Sequence, residues 1–569
     1  MFSKLSYLIS TLLLTHDGCG CASKPRHRSC AHNQACGGAR AGVVSNSPLS
    51  AGVGRDVLNK GGSAVDAAIA TLFCEGVMLP HAMGIGGGFL MTLYDARNKV
   101  VKTLNAREAA PFAANENMFE GQIELSEKGK FSFCVPGEVS GCWHAHKEYG
   151  KLPWSDLVKP SSIFAKYGFR VTPFMESIFA AEEDQIRADD ELKNLYINPK
   201  TDKPYKAEEI VKNVKLGLTL EKIAQHGESV LYDGEMTCDF VGDIKRKQGI
   251  LTVEDMKQYK PIWECPLRST LPNCHTLYSV NTPGSGAILI LILNILESCL
   301  DMRYLDTTEN WHKIIETFKF AYGAKSILSN DTSEDSVKTL IENLTSKLYA
   351  TNMKERITEM THQDPEYYGA CTKLSVDHGT ANIVVMAAEG DAVVVTSSIN
   401  QNFGAGIVSE STGIILNDQM SSFSIPNDCD EYGFAPTANF PGPGVRPASS
   451  MAPSIILDKC KNVVLGIGGS GGPIISAEVA LVILRHIFYN EPLGKAMSSR
   501  RLLHQLFPMH IKTEYGFCEP ILRGLIKRGH QLDIKVPAGF EAVTAMARNK
   551  TAVCGCFDPR RGGQVSLTH

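Results

Sequence analysis

A threonine directly after a glycine, Gly379-Thr380, is the pair in this chain best suited to covalent chemistry. Two β-branched runs follow it, Ile383-Val384-Val385-Met386 and Ala392-Val393-Val394-Val395, joined through Glu389-Gly390-Asp391. Such runs across a short Gly-containing turn predict a β-hairpin with Thr380 at its mouth. Gly379 adds no side-chain bulk, so the peptide bond before Thr380 is open to attack. A threonine hydroxyl is a weak nucleophile unless a base sits beside it, and its own α-amine can be that base. The amine exists only if the chain is cut between Gly379 and Thr380. The pattern points to a self-processing hydrolase. Read alone, Asp377-His378-Gly379-Thr380-Ala381-Asn382 also describes an ordinary turn entering a strand.

Amide hydrolysis needs a nucleophile, a base, an oxyanion site and a substrate anchor. Thr380 supplies the first two after cleavage, since a free α-amine titrates at about 7.7–8 and suits base work near neutrality. Ser398 falls on the paired strand, where its hydroxyl can face Thr380; without further context it is equally a solvated strand residue. Gly471-Gly472 sits between a strand and a helix predicted near Ile474, where N–H groups favour developing negative charge. Gly84-Ile85-Gly86-Gly87-Gly88 runs into a strand, whereas a dinucleotide fingerprint runs from strand into helix, so close backbone packing explains it better. His144 and His146 diverge on a helix, and Cys19, Cys21, Cys30 and Cys36 match no common zinc spacing. No metal is expected.

The elements that must position these residues are partly legible. Ser63 followed by Asp66 is close to a capping box opening an apolar helix. Residues 89–94 and 99–104 read as a hairpin ending at Arg107. From 139 to 350 the pattern is mainly helical, including a fully apolar run after Ser285-Gly286 that is short for a membrane span. Strands dominate from Thr380, interrupted by a Pro/Gly-rich loop at 434–453. Strands and helices interleave without βαβ alternation, which argues against a doubly wound sheet.

The 569 residues are 43% hydrophobic, enough for a substantial core. A net charge of −4 and a pI near 6.5 leave no basic footprint for nucleic acid. Residues 5–14 (LSYLISTLLL) follow Lys4 and precede Gly20-Cys21-Ala22-Ser23, the form of a secretory signal. A buried N-terminal helix is the competing reading. Sequons at Asn330, Asn343 and Asn549 fit a secreted glycoprotein. Seventeen cysteines fit an oxidising compartment, although an odd count leaves at least one unpaired.

DHGTAN, TSSINQNFG, STGIILNDQM, RPASSMAPS and IGGSGG, with GGSAVDAAIA, MGIGGGFLM and NAREAAP upstream, resemble in order and spacing the motifs of γ-glutamyltransferases (glutathione hydrolases). The likeness runs from about Gly42 to the C-terminus. It implies an α+β fold, the αββα four-layer sandwich of N-terminal nucleophile hydrolases. It divides the chain into a leader and linker (1–41), a large subunit (42–379) and a small subunit (380–569) joined as a heterodimer. By resemblance Gly471 and Gly472 form the oxyanion hole and Arg107, with Ser449 and Ser450, binds the α-carboxylate of a γ-glutamyl group. Asn400 and Gln419 bind the amino-acid end. The position of Ser422 is commonly aspartate in the family, so Ser422 implies a weakened contact to the substrate ammonium, with Asp418 directed elsewhere. Cys74 matches a family disulfide position whose partner here is Ser50.

The implied activity is cleavage of glutathione through a Thr acyl-enzyme, passed to water or to an amino acid or dipeptide acceptor, with no cofactor. The implied location is the secretory pathway, ending secreted or on the outer face of the plasma membrane. A same-fold amidase with another acyl preference and a catalytically silent surface paralogue are the alternatives.

Overall fold

The computed structural model describes residues 33–568 apart from 330–333, 371–378, 427–435, 437, 536–541 and 551. Asp377 and His378, the signal-like segment, Cys19, Cys21, Cys30 and the sequon asparagine Asn330 lie outside the described residues. Two seven-stranded sheets form the centre. One runs, in spatial order, through Gln34–Cys36, Ala552–Phe557, Ala542–Asn549, Val463–Ser470, Ser454–Leu457, His275–Ser279 and Leu267–Leu271. The other runs through Gln564–Leu567, Gly42–Ser45, Gly379–Met386, Ala392–Asn400, Gly88–Asp95, Val100–Ala106 and Ile262–Glu264. Each sheet mixes strands from before and after Gly379.

Strand alternation builds three apolar layers from one sequence pattern. Val384, Met386 and Val394 point between the sheets and meet Ile455, Val463 and Met546 from the opposite one. Ile383, Val385, Val393 and Val395 point outward into a layer with Ile69, Phe73 and Val139. Leu465 and Ile467 face the other way, onto Ile288, Ile292, Phe318 and Val479. The helices Ala64–Met78 and Glu138–Tyr149 thus cover one sheet, and Gly286–Cys299, Thr308–Ser326 and Ile475–Ile483 cover the other. The fold is the αββα sandwich.

The capping box is present: Ser63 Oγ accepts from Asp66 N at 3.0 Å and Asp66 Oδ2 accepts from Ser63 N at 2.9 Å. The run after Ser285 is a buried helix, and among the described residues no helix is long and apolar enough to cross a membrane.

Two readings change. Ile262–Glu264, Leu267–Leu271 and His275–Ser279 are strands inside the stretch read as mainly helical. The first two are short strands at sheet edges, and neither Ile262-Trp263-Glu264 nor Leu267-Arg268-Ser269-Thr270-Leu271 carries the apolar alternation that marks a half-buried strand. Gln34–Cys36, within the segment read as leader and linker, is also an edge strand. It pairs with Ala552–Phe557 and sets Cys36 opposite Cys554, with which it forms a disulfide. Cys74 is a free, buried thiol, pushed up by burial, and Ser50 Oγ lies 3.6 Å from Met78 Sδ.

Candidate active site

Thr380 and Ser398 are both fully buried where the central hairpin opens. Gly379 pairs with Asn400 and Ala381 with Ser397, and the register slips between them at Thr380. Thr380 Oγ1 lies 3.4 Å from Ser398 Oγ, a long contact, while Ser398 Oγ donates a short hydrogen bond to the Gly379 carbonyl. Asn400 N donates to Ser398 Oγ at 2.8 Å, fixing that hydroxyl. The predicted pair is therefore brought together, with Ser398 polarising the carbonyl of the Gly379-Thr380 bond. A Cβ on Gly379 would come within 2.9 Å of the Asn400 and Gln401 carbonyl oxygens, so only glycine fits there without a shift.

The surrounding sequence explains why the hairpin sits where it does. A Cβ on Gly86 would meet Ile415 O at 2.0 Å and one on Gly87 would meet Ser398 O at 2.1 Å. The glycine cluster thus serves close backbone packing, as read from sequence. Asn382, two residues beyond Thr380, accepts from Thr396 Oγ1 at 2.7 Å and its N–H donates to Asn46 Oδ1 at 2.9 Å. Asn46 N in turn donates to Glu75 Oε1 at 3.0 Å, and burial raises the Glu75 carboxyl to about 8. Sequence reasoning missed this anchor, although an asparagine inside a β-branched run is an unusual choice.

The strand Val463–Ser470 ends at Gly471 (φ 115°) and Gly472 (φ 71°), followed by a 3₁₀ turn Gly472–Ile474 and the helix Ile475–Ile483. Two successive left-handed residues favour glycine. They turn the chain sharply at the start of a helix, the setting in which N–H groups meet developing negative charge.

Arg107 is buried, and its guanidinium donates to Pro447 O at 3.3 Å and Ala448 O at 3.2 Å, with Glu108 Oε2 at 3.3 Å. Burial raises the Glu108 carboxyl, and the Arg107 guanidinium pulls it back. Ser449 Oγ accepts from Met451 N at 3.2 Å, and Ser450 Oγ accepts from Lys325 Nζ. Both hydroxyl oxygens act as acceptors in these contacts. Arg107 and the 447–450 loop are thus adjacent, and Lys325 adds a cation that sequence reasoning did not find.

Asn400, Gln419 and Ser422 form one buried network. Gln419 Nε2 donates to Ser422 Oγ at 2.5 Å, Ser422 Oγ donates to Asn400 Oδ1 at 3.2 Å, and Asn400 Nδ2 donates to Ser421 Oγ at 2.7 Å. Gln419 Oε1 is a buried acceptor with no protein partner among the described residues. Ser422 therefore orients its neighbours, and among Asn400, Gln419 and Ser422 the acceptor left for a ligand is Gln419 Oε1. Asp418 Oδ1 accepts from Gln401 N at 3.1 Å.

His144 and His146 cap separate carbonyls, of Ser140 at 2.9 Å and Leu152 at 2.8 Å. Among the described residues His312, Glu316 and His530 bring metal-capable atoms within 4.8 Å of one another. Two of these atoms face each other, His312 Nδ1 and His530 Nε2 at 2.8 Å, and Glu316 takes Thr361, Tyr368 and the Lys319 ammonium. The buried ammonium opposes a second cation, so this is a structural polar bracket.

The family profile described as Gamma-glutamyltranspeptidase matches residues 50–568. The chain is 40% identical over 534 residues to Scoloptoxin SSD14 of Scolopendra dehaani, covering 92% of this chain and 91% of that one. It is 35% identical over 472 residues to Glutathione hydrolase 2 of Arabidopsis thaliana, covering 82% and 80%. The structure superposes on cephalosporin acylase from Bacillus halodurans with a TM-score of 0.83, covering 98% of this chain and 100% of that one at 23% identity. That last likeness concerns the fold. With the profile spanning nearly the whole chain and two relatives matched along most of their length, the chain belongs to the gamma-glutamyltranspeptidase family.

Proposed function

We propose that this chain is a self-cleaving γ-glutamyltransferase/glutathione hydrolase with Thr380 as nucleophile. The observation that carries the reading is the arrangement of Thr380 Oγ1, Ser398 Oγ and the Gly379 carbonyl at the hairpin mouth. In maturation Thr380 Oγ1 attacks the Gly379 carbonyl carbon, the C–N bond breaks, and an ester links the two segments. Water then releases the Gly379 carboxylate and leaves Thr380 with a free α-amine. In turnover that amine takes the hydroxyl proton as Thr380 Oγ attacks the γ-glutamyl amide. The N–H groups at Gly471-Gly472 receive the oxyanion, the proton passes to the departing Cys-Gly amine, and water or an acceptor amine resolves the acyl-enzyme. Arg107, Ser449 and Ser450 take the substrate carboxylate. Full activity after demonstrated acetylation of the Thr380 amine would remove it from the role of base.

The ammonium end is the weaker point, and Gln419 Oε1 supports a neutral contact there. Gln419→Glu is expected to lower KM for glutathione by on the order of tenfold, because charge-assisted hydrogen bonds are worth roughly 1.5–3 kcal/mol against about 0.5–1.5 for neutral ones. Discrimination against a des-amino acyl analogue should sharpen with it. An unchanged KM and unchanged discrimination would mean that another group reads the ammonium. Against the same-fold amidase alternative, which the serine at 422 in place of the family's usual aspartate prompts, the glutathione hydrolase relatives favour the main reading.

Location in the secretory pathway belongs to the same proposal, supported by the signal-like start and the Cys36–Cys554 pair. The paired cysteines lie on opposite sides of Gly379-Thr380 in the chain. The matured protein is therefore expected to run as one band of about the full mass on a non-reducing denaturing gel and as two bands after reduction. Two bands without reductant would remove the cross-link.

A further inference from the structure

We infer that Arg561 is a positioning residue that fixes Thr380 against the Gly471-Gly472 turn, setting nucleophile and oxyanion site at one spacing. The inference rests on the roles proposed above for Thr380 and the glycine turn.

The hairpin ladder skips Thr380: pairing passes from Gly379–Asn400 to Ala381–Ser397 with a register shift between. The carbonyl of Thr380 instead accepts a short hydrogen bond from Arg561 Nη1, and the same nitrogen donates to Ser470 Oγ at 2.8 Å. Ser470 closes the strand that leads into Gly471. One guanidinium nitrogen therefore touches the residue that bears the nucleophile and the residue that opens the oxyanion turn. These residues come from opposite sheets.

Arg561 is itself held from several sides. Its guanidinium carbon lies 5.2 Å from the centroid of the Phe174 ring. Gly562 N, next in the chain, donates to Asp558 O at 3.0 Å. Asp558 is clamped by Arg501 at 2.7 Å and Arg560 at 2.9 Å. Burial pushes the Asp558 carboxyl up, and these two guanidiniums outweigh it and hold it below its usual range.

Cleavage explains why such a brace is needed. Once the Gly379-Thr380 bond is cut, Thr380 is a chain terminus, and termini fray unless tied down. A cation-donated hydrogen bond to its carbonyl ties the residue without occupying its hydroxyl or amine, and it is stronger than a neutral one. Arg561 touches neither reacting atom, so it acts through Thr380 and Ser470.

The test compares Arg561→Gln and Arg561→Lys with wild type in the full chain. The matured fraction of each is isolated and its Thr380 termini counted before kinetics with glutathione. In Arg561→Gln, kcat per Thr380 terminus is expected to fall on the order of 100-fold, the scale of a 1 Å misplacement, with KM within about threefold. Arg561→Lys keeps a cation with several donors and is expected to recover much of that loss. If Arg561→Gln does not mature, slowed maturation of Arg561→Lys with an unchanged KM supports the inference. A matured Arg561→Gln enzyme with wild-type kcat overturns it. So does an equal loss in both variants with a lowered melting temperature, which marks a merely structural arginine. Failure of the underlying reading is separate, because wild type would then carry no Thr380 terminus.

Discussion

Thr380→Ala is expected to remain a single chain and to lose turnover. Alanine keeps the backbone and Cβ at the hairpin mouth, so the buried packing around Ala381 and Ser398 is retained. What disappears is the oxygen facing Ser398 and, with it, both the attack on the Gly379 carbonyl and the formation of an acyl-enzyme. Removing the nucleophile of a hydrolase costs about 10⁶-fold in kcat in the best-measured case, and a loss of at least ~10⁴-fold is expected here. Thr380→Ser keeps the oxygen and loses the methyl that stiffens χ1, so it should mature and turn over more slowly. A denaturing gel after reduction and a glutathione assay read both effects. A cleaved or active Thr380→Ala protein would sink the mechanism.

The second large effect is expected at Arg107. Its guanidinium contacts with Pro447, Ala448 and Glu108 are all 3.2–3.3 Å, so the fork is held loosely and can close on a carboxylate. Truncating one partner of a buried charge pair costs roughly 2–5 kcal/mol, so Arg107→Gln should lose about 30-fold to several thousandfold in kcat/KM. The loss should fall mainly on KM, because the carboxylate lies away from the reacting carbonyl and is held alike in ground and transition states. The fold should survive. Burial already raises the Glu108 carboxyl, and losing Arg107 pushes it further toward the neutral form, which eases the burial of an unpaired charge. Melting temperature and maturation check this separately from the kinetics. A KM within about twofold of wild type would move the carboxylate site elsewhere.

Local features of this chain were readable, and features made by distant segments were not. The hairpin after Thr380, the Ser63–Asp66 cap and the turn from Gly472 into the helix at Ile475 each arise within a few residues, where periodicity and capping chemistry operate. Ser398 belongs to this class, because it lies on the returning strand of the same hairpin, within contact of the nucleophile. Arg107 and the 447–450 loop were joined only by family resemblance, since 340 residues separate Arg107 from Pro447. Lys325 on Ser450 and Arg561 on Thr380 escaped altogether. Nothing in a lysine near a helix end or an arginine in a C-terminal turn tells which distant oxygen it meets.

Ser422 was readable as a missing charge, while its bonds were not: its hydroxyl is engaged by Gln419 and Asn400, which leaves Gln419 Oε1 as the open acceptor of these three residues. The edge strand at Gln34–Cys36 was missed because three polar and small residues carry no period, and only its partner Ala552–Phe557 defines it.

Self-cleavage at one bond is the claim on which the rest depends, and N-terminal sequencing of the smaller chain from an active, reduced preparation tests it most directly. The expected sequence is Thr380-Ala381-Asn382-Ile383, in amounts equal to the active sites counted by acyl-enzyme burst. An active preparation in which no chain begins at Thr380 would contradict the account.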